Sequence, residues 1–109
     1  MKVLKIDPKE WSYSLEIHWL ETFPLRMYAP GKSFPKTTTC RIYFTYNDSR
    51  DSGKILMAEE FCVKHRLDKD NPTHAQKITL VKALKTVYFT KEQRAYCMKE
   101  FFKSLENEL

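Results

Sequence analysis

Apolar and polar residues alternate along two stretches of the chain. Between residues 11 and 19 every odd position is large and apolar, and residues 37–46 place β-branched and aromatic side chains in both alternating sets. A repeat of two residues is typical of a β-strand, whose successive side chains point to opposite faces. The pattern predicts strands over 10–20 and 37–46. It also predicts a short strand over 3–6.

The segments between these strands are rich in turn-forming residues. Residues 23–36 contain three prolines and a glycine, which predicts a loop with a short edge strand at 25–28. A second group of turn formers fills 47–53 and leads into an apolar stretch at 54–63, which predicts the returning arm of a hairpin. The later part, 58–64, fits a helix as well as a strand.

Two helices are predicted in the remainder of the chain. The first spans about 73–87, after Asn71-Pro72 and a Thr73-x-x-Gln76 capping sequence, and the second spans about 91–106, after Thr90-x-x-Gln93. Apolar residues recur at helical spacing in both. The predicted buried stripes are Ile78, Leu80, Val81, Leu84 and Val87 in the first helix and Met98, Phe101, Phe102 and Leu105 in the second.

Strands that precede helices indicate an α+β fold. We expect residues 1–109 to form a single domain, in which an antiparallel sheet from residues 1–64 is covered by a two-helix hairpin. The apolar strip of Trp11, Tyr13, Ile17 and Trp19 is large for two short helices to cover. This strip predicts a homodimer or a larger closed assembly.

The composition favours a folded protein with an anionic partner. The chain has 109 residues, 42% hydrophobic, and its 19 Lys and Arg against 14 Asp and Glu give a net charge of +5. Between Thr73 and Lys91 the lysines 77, 82, 85 and 91 occur without any acidic residue. Such a helix face is suited to phosphate contacts, although exposed lysines are also common without a partner.

Several function classes lack their sequence signatures. The three cysteines have no CxxC spacing, which predicts free thiols and a reducing cytoplasmic environment. No export signal or membrane-spanning stretch is apparent, and no glycine-rich phosphate loop or metalloprotease motif occurs. We therefore expect no enzymatic activity, no metal and no cofactor.

The ends of the predicted helices supply a candidate anion site. Free N–H groups at a helix start attract negative charge. Arg66, Asn71 and His74 lie beside the start of the first helix, and Lys91 and Arg94 lie at the start of the second. Arg41 is expected to reach this site from the sheet. Because a helical hairpin places successive helix starts at opposite ends, we expect the site to be shared between subunits.

The helical segments resemble small phage-encoded accessory proteins. The resemblance covers about forty residues and rests on the sequence from Asp70 to Lys85, with Ala-Leu-Lys in its helix, and on Phe89-Thr90-Lys91-Glu92-Gln93-Arg94. A glycine expected near Gln76 is absent. Proteins of this size and layout include the Thoeris anti-defence sponges, which sequester cyclic ADP-ribose signals as dimers. The resemblance implies the order of strands and helices and a counter-defence role, without assigning binding residues.

Two functional hypotheses follow. In the first, the protein acts in the host cytoplasm and sequesters a small phosphorylated or cyclic nucleotide without turning it over. In the second, it is an accessory protein that binds nucleic acid, or inhibits a host defence protein, through the basic face of the first helix. Affinity for a nucleic acid should fall steeply with salt, whereas a pocket for one or two phosphates should respond less.

Overall fold

A computed structural model describes residues 2–22, 37–46, 53–63 and 71–107 of the protein. It contains a four-stranded antiparallel sheet followed by two helices, the predicted α+β order. The strands are β1 (Lys2–Ile6), β2 (Tyr13–Thr22), β3 (Thr37–Tyr46) and β4 (Ile55–Val63), and the helices are α1 (Pro72–Thr86) and α2 (Lys91–Asn107).

The sheet is a meander in which each strand pairs with its neighbour in sequence, in the order β1-β2-β3-β4. Ile17 lies opposite Leu4 on one side and Ile42 on the other, and Ile42 lies opposite Ala58. A register shift between Ile42 and Tyr43 interrupts the pairing of β3 with β4. The buried apolar positions of the four strands, which include Ile6, Ile17, Ile42 and Ala58, thereby share one face of the sheet.

Both helices pack on that apolar face. Gln76 of α1 accepts a hydrogen bond from the indole of Trp19, and Phe101 of α2 packs against the same indole with 5.5 Å between ring centroids. The ammonium group of Lys2 lies 5.7 Å from the Trp19 ring centroid and 5.1 Å from that of Phe101. Trp19 therefore joins the sheet to both helices.

The helices cover most of the apolar strip that predicted an assembly. Ile17 and Trp19 are only 0% and 2% exposed, while Trp11 and Tyr13 are partly buried in an aromatic cluster. That cluster also includes Phe44, Tyr46, Phe89 and Tyr96. The premise that two short helices leave this strip uncovered is wrong, because both of them lie across it.

The buried stripes of the helices differ from the predicted ones. In α1 the small residues Thr79 and Ala83 are buried, whereas Ile78 and Val81 are only partly buried. The Thr79 hydroxyl donates to the carbonyl oxygens of Ala75 and Gln76, 2.8 and 3.0 Å away, so its burial leaves no polar group unsatisfied. Small side chains at this contact allow α1 to approach the sheet closely.

In α2 the main discrepancy is Phe102, which is exposed although the pattern predicted burial, while Cys97 is fully buried. Phe102 instead lies beside α1, where the Lys77 ammonium group is 5.7 Å from its ring centroid. The sequence left open whether residues 58–64 form a helix or a strand. In the structure, the segment from Ala58 to Val63 is a strand. The predicted edge strand at 25–28 and the turn residues 47–52 lie outside the described residues.

Candidate functional site

Asn71 is the N-cap residue of α1. Its side-chain oxygen accepts a hydrogen bond from the main-chain N–H of His74 over 3.0 Å, and its carbonyl accepts from the N–H of Ala75 over 3.2 Å. Pro72 follows at the first helical position, where its missing N–H costs nothing. Asn71 and His74 are both exposed, so this helix start is accessible to solvent.

A basic surface runs along α1 from this start. Lys77, Lys82 and Lys85 are all exposed, and α1 contains no acidic residue. At 100° per residue, the three lysines and His74 fall within an arc of about 140°, whose centre lies opposite the buried Ala83. We call this set, His74, Lys77, Lys82 and Lys85, the α1 basic face.

The start of α2 carries the second group of predicted ligands. Thr90 and Gln93 form a reciprocal capping pair, in which the Gln93 N–H donates to the Thr90 hydroxyl over 3.1 Å and the Thr90 N–H donates to the Gln93 side chain over 2.9 Å. Lys91 is exposed and Arg94 is partly buried. The capping pair therefore satisfies two backbone N–H groups, and the side chains of Lys91 and Arg94 take no part in it.

The start of α2 is attached to the sheet through Tyr13. The Gln93 side-chain nitrogen donates to the Tyr13 hydroxyl oxygen over 2.8 Å. Burial raises the pKa of Tyr13, and the hydrogen bond from Gln93 opposes this rise. Tyr13 is thus held as a neutral phenol that fixes the position of the helix start.

The two helix starts lie at opposite ends of the sheet. Gln76, near the start of α1, contacts Trp19, and Gln93, near the start of α2, contacts Tyr13. Trp19 and Tyr13 both belong to β2, and six residues of strand correspond to about 20 Å. One chain therefore does not bring Asn71 and His74 together with Lys91 and Arg94. Arg66 lies outside the described residues.

Arg41 is on the other face of the sheet. The buried residues Cys40 and Ile42 flank it and point toward the helices, so its own side chain points away from both helix starts. It forms an ion pair with Glu59 on the adjacent strand, and this carboxylate raises the pKa of the guanidinium group. The expectation that Arg41 reaches the helix starts does not agree with this placement.

The face of the sheet that neither helix covers, which we call the uncovered face, carries a polar network of its own. Lys54 donates to Glu16 over 3.0 Å, and the His18 imidazole lies 3.4 Å from the same carboxylate and 4.9 Å from the Tyr43 ring, measured between ring centroids. The hydrogen bond from Lys54 is the main cause of the lowered pKa of Glu16. Sequence analysis did not select these residues, although their alternation with buried neighbours in β2 and β3 placed them on one face.

The cysteines show no sign of activation. All three are unpaired, as the spacing predicted. Burial raises the pKa of Cys40 and of Cys97 to about 12, and it also raises the pKa of Cys62, where Lys82 partly offsets the effect. A thiolate nucleophile needs a lowered pKa. Cys40 and Cys97 pack in the core, and among the described residues no group lowers the pKa of the partly exposed Cys62 below the ordinary value.

Comparisons with known proteins do not identify the chain: no family model, no curated protein and no solved structure matches it. In the described part of the chain, no group of three or more His, Cys, Asp or Glu residues is arranged to hold a metal ion. Neither described helix has the length and apolar character needed to cross a membrane.

Proposed function

We propose that this protein is a binding protein that holds an extended anion, such as a nucleic acid strand, along the α1 basic face. The observation that carries the proposal is the exposure of Lys77, Lys82 and Lys85 on a helix without acidic residues. Each lysine that neutralises a phosphate releases a condensed counterion, which provides affinity without base recognition.

The length of the basic surface favours an extended ligand over a small one. The fifteen residues of α1 correspond to about 22 Å at 1.5 Å per residue. His74 lies near one end, and Lys91 and Arg94 follow the other end. A ligand that contacts all of these residues in one chain must carry several phosphates in a row.

A second candidate is sequestration of a small phosphorylated or cyclic nucleotide, the counter-defence role that the resemblance implies. The exposed start of α1, with His74 beside the Asn71 cap, supports it. Within one chain such a nucleotide can contact this end or the α2 start, because about 20 Å separates them. We propose this role only for an assembly in which the helix starts of two chains meet.

The decisive experiment measures binding of a fluorescent single-stranded oligonucleotide over a range of salt concentrations. We compare the double variant Lys82→Gln/Lys85→Gln with Lys5→Gln/Lys9→Gln, which removes the same charge elsewhere. Lys5 is exposed on the uncovered face of the sheet, and Lys9 is exposed after β1. Affinity for the oligonucleotide falls as salt rises, and this dependence should become shallower in the α1 variant. The negative slope of log affinity against log salt should decrease in magnitude by about 1.4, which is ~0.7 for each lost contact with a single-stranded phosphate.

Equal losses in the two double variants would show that only net charge matters and would overturn the proposal, as would salt-insensitive binding by the parent. The small-nucleotide candidate predicts a different pattern. In that case Arg94→Ala and Arg66→Ala should weaken nucleotide binding by about 1.5–3 kcal/mol, the scale of a hydrogen bond to a charged group. The lysine variants should then have little effect.

A further inference from the structure

The two edges of the sheet differ in length and in protection. β1 has five residues and carries the exposed Lys5, whereas β4 has nine residues with neither lysine nor proline. Short strands, lysines and prolines are the usual means by which proteins prevent pairing at a sheet edge. In the described part of the chain, β4 therefore has an edge open to pairing, and β1 does not.

The side chains of β4 are also unusually apolar for an exposed strand. Phe61 is 60% exposed, and four other large apolar residues of β4 are at least 39% exposed. These residues are Ile55, Leu56, Met57 and Val63. Contiguous exposed apolar side chains commonly mark an interaction surface.

The acidic residues of β4 already have partners within the chain. Glu59 is paired with Arg41, and Glu60 accepts a hydrogen bond from the Thr86 hydroxyl over 3.1 Å. Their charge is therefore partly compensated, and an approaching strand meets mainly apolar side chains and backbone groups that no described strand pairs. The edge is suited to β-strand addition.

We propose that β4 pairs antiparallel with β4 of a second copy of this chain, which joins the two sheets into one of eight strands. An antiparallel pair of identical strands has two-fold symmetry, so each copy offers the same surface and receives the same surface. The two sheet faces are preserved by this symmetry. The uncovered faces of both copies therefore become one continuous surface.

Repulsion between the carboxylates of β4 limits the registers in which the two copies can pair. When Phe61 lies opposite Phe61 of the second copy, Glu59 lies opposite Val63 and Glu60 opposite Cys62. A register centred on Glu59 or Glu60 would place two carboxylates directly opposite each other, which is unfavourable. The shift between Ile42 and Tyr43 also disturbs the first part of β4, so regular pairing is expected in its second part. A centre at Cys62 would pair only residues 61–63 of the described strand, whereas a centre at Phe61 pairs residues 59–63, so the pair is centred on Phe61.

This inference does not depend on the proposed ligand of α1, because it rests on the β4 edge alone. The test is disulfide trapping of Phe61→Cys under a mild oxidant, with Val3→Cys on the opposite edge as the matched control. Val3 is 41% exposed and lies, like Phe61, on the uncovered face. We expect Phe61→Cys to form a covalent dimer, mapped by mass spectrometry to the introduced cysteine, while Val3→Cys and the parent remain single chains.

A second measurement uses the unmodified parent. Sedimentation should show twice the mass of the 13.0 kDa chain, and amide hydrogen exchange in β4 should slow with increasing protein concentration while exchange in β1 does not change. Sedimentation as a single chain at all concentrations would overturn the proposal. This holds even if β4 then pairs with a strand of a different protein. Cross-linking of Val3→Cys to the same extent would also overturn it.

Discussion

The indole nitrogen of Trp19 donates a hydrogen bond to the main-chain carbonyl oxygen of Gln76, 3.1 Å away. The two residues are 57 positions apart in sequence, and Trp19 is only 2% exposed. The same carbonyl accepts the Thr79 hydroxyl over 3.0 Å. A single partly buried carbonyl group thus connects strand β2 with the first turns of α1.

Replacement of Trp19 by Phe removes the indole N–H and part of the buried ring. We expect the free energy of unfolding to fall by about 2–4 kcal/mol, because the lost donor and the cavity both contribute. Urea denaturation measures this change. Tyr88→Phe is the control at a fully exposed aromatic residue and should change stability by less than about 0.5 kcal/mol. Similar small effects of both substitutions would contradict the role given to Trp19.

The capping pair at the start of α2 predicts a separate stability effect. Thr90→Ala removes the hydroxyl that accepts the Gln93 N–H and should cost about 0.5–2 kcal/mol. Thr90→Ser keeps the hydroxyl and should remain within a few tenths of the parent. Thermal denaturation followed by circular dichroism compares the two variants. Equal stability of Thr90→Ala and the parent would mean that the cap contributes nothing.

The three thiols should differ in their reactivity toward a thiol reagent. Cys62 is partly exposed, whereas Cys40 and Cys97 are both 0% exposed with pKa values of about 12. We expect one thiol to react in the native protein and the other two only on unfolding. Since none of them is paired, a reducing agent should shift the melting temperature by no more than about 2 °C, less than the loss of a disulfide would. Two rapidly reacting native thiols would contradict the buried positions.

Acid should weaken the contact between Lys54 and Glu16. The hydrogen bond from Lys54 lowers the pKa of Glu16 in the folded state below its ordinary value of 4.5. A lowered folded pKa stabilises the protein above the unfolded pKa, and this contribution disappears as pH falls through the folded pKa. Lys54→Gln should therefore cost up to about 1 kcal/mol at neutral pH and nothing in strong acid. Denaturant titrations at several pH values test this, with Lys9→Gln as a variant whose effect should not depend on pH.

The sequence predicted local structure more successfully than the positions of side chains in the site. The strand over 37–46 and the capping role of Thr90 and Gln93 depend on neighbouring residues, and both are confirmed. The pair between Arg41 and Glu59 depends on the register of β3 against β4, including a bulge that no local pattern revealed. Hydrophobic periodicity also could not predict the burial of Thr79, because threonine counts as a polar residue in such a pattern.

The order of the elements has a consequence for the protein during its synthesis. All four strands leave the ribosome before either helix, so the apolar side chains of Ile17, Trp19 and Ile42, which are buried in the complete fold, have no helix to cover them at that stage. At ~5–20 residues per second, synthesis of the helical part takes several seconds. During that interval these apolar side chains are prone to aggregation, and a chaperone that holds apolar surfaces would have the time to bind them.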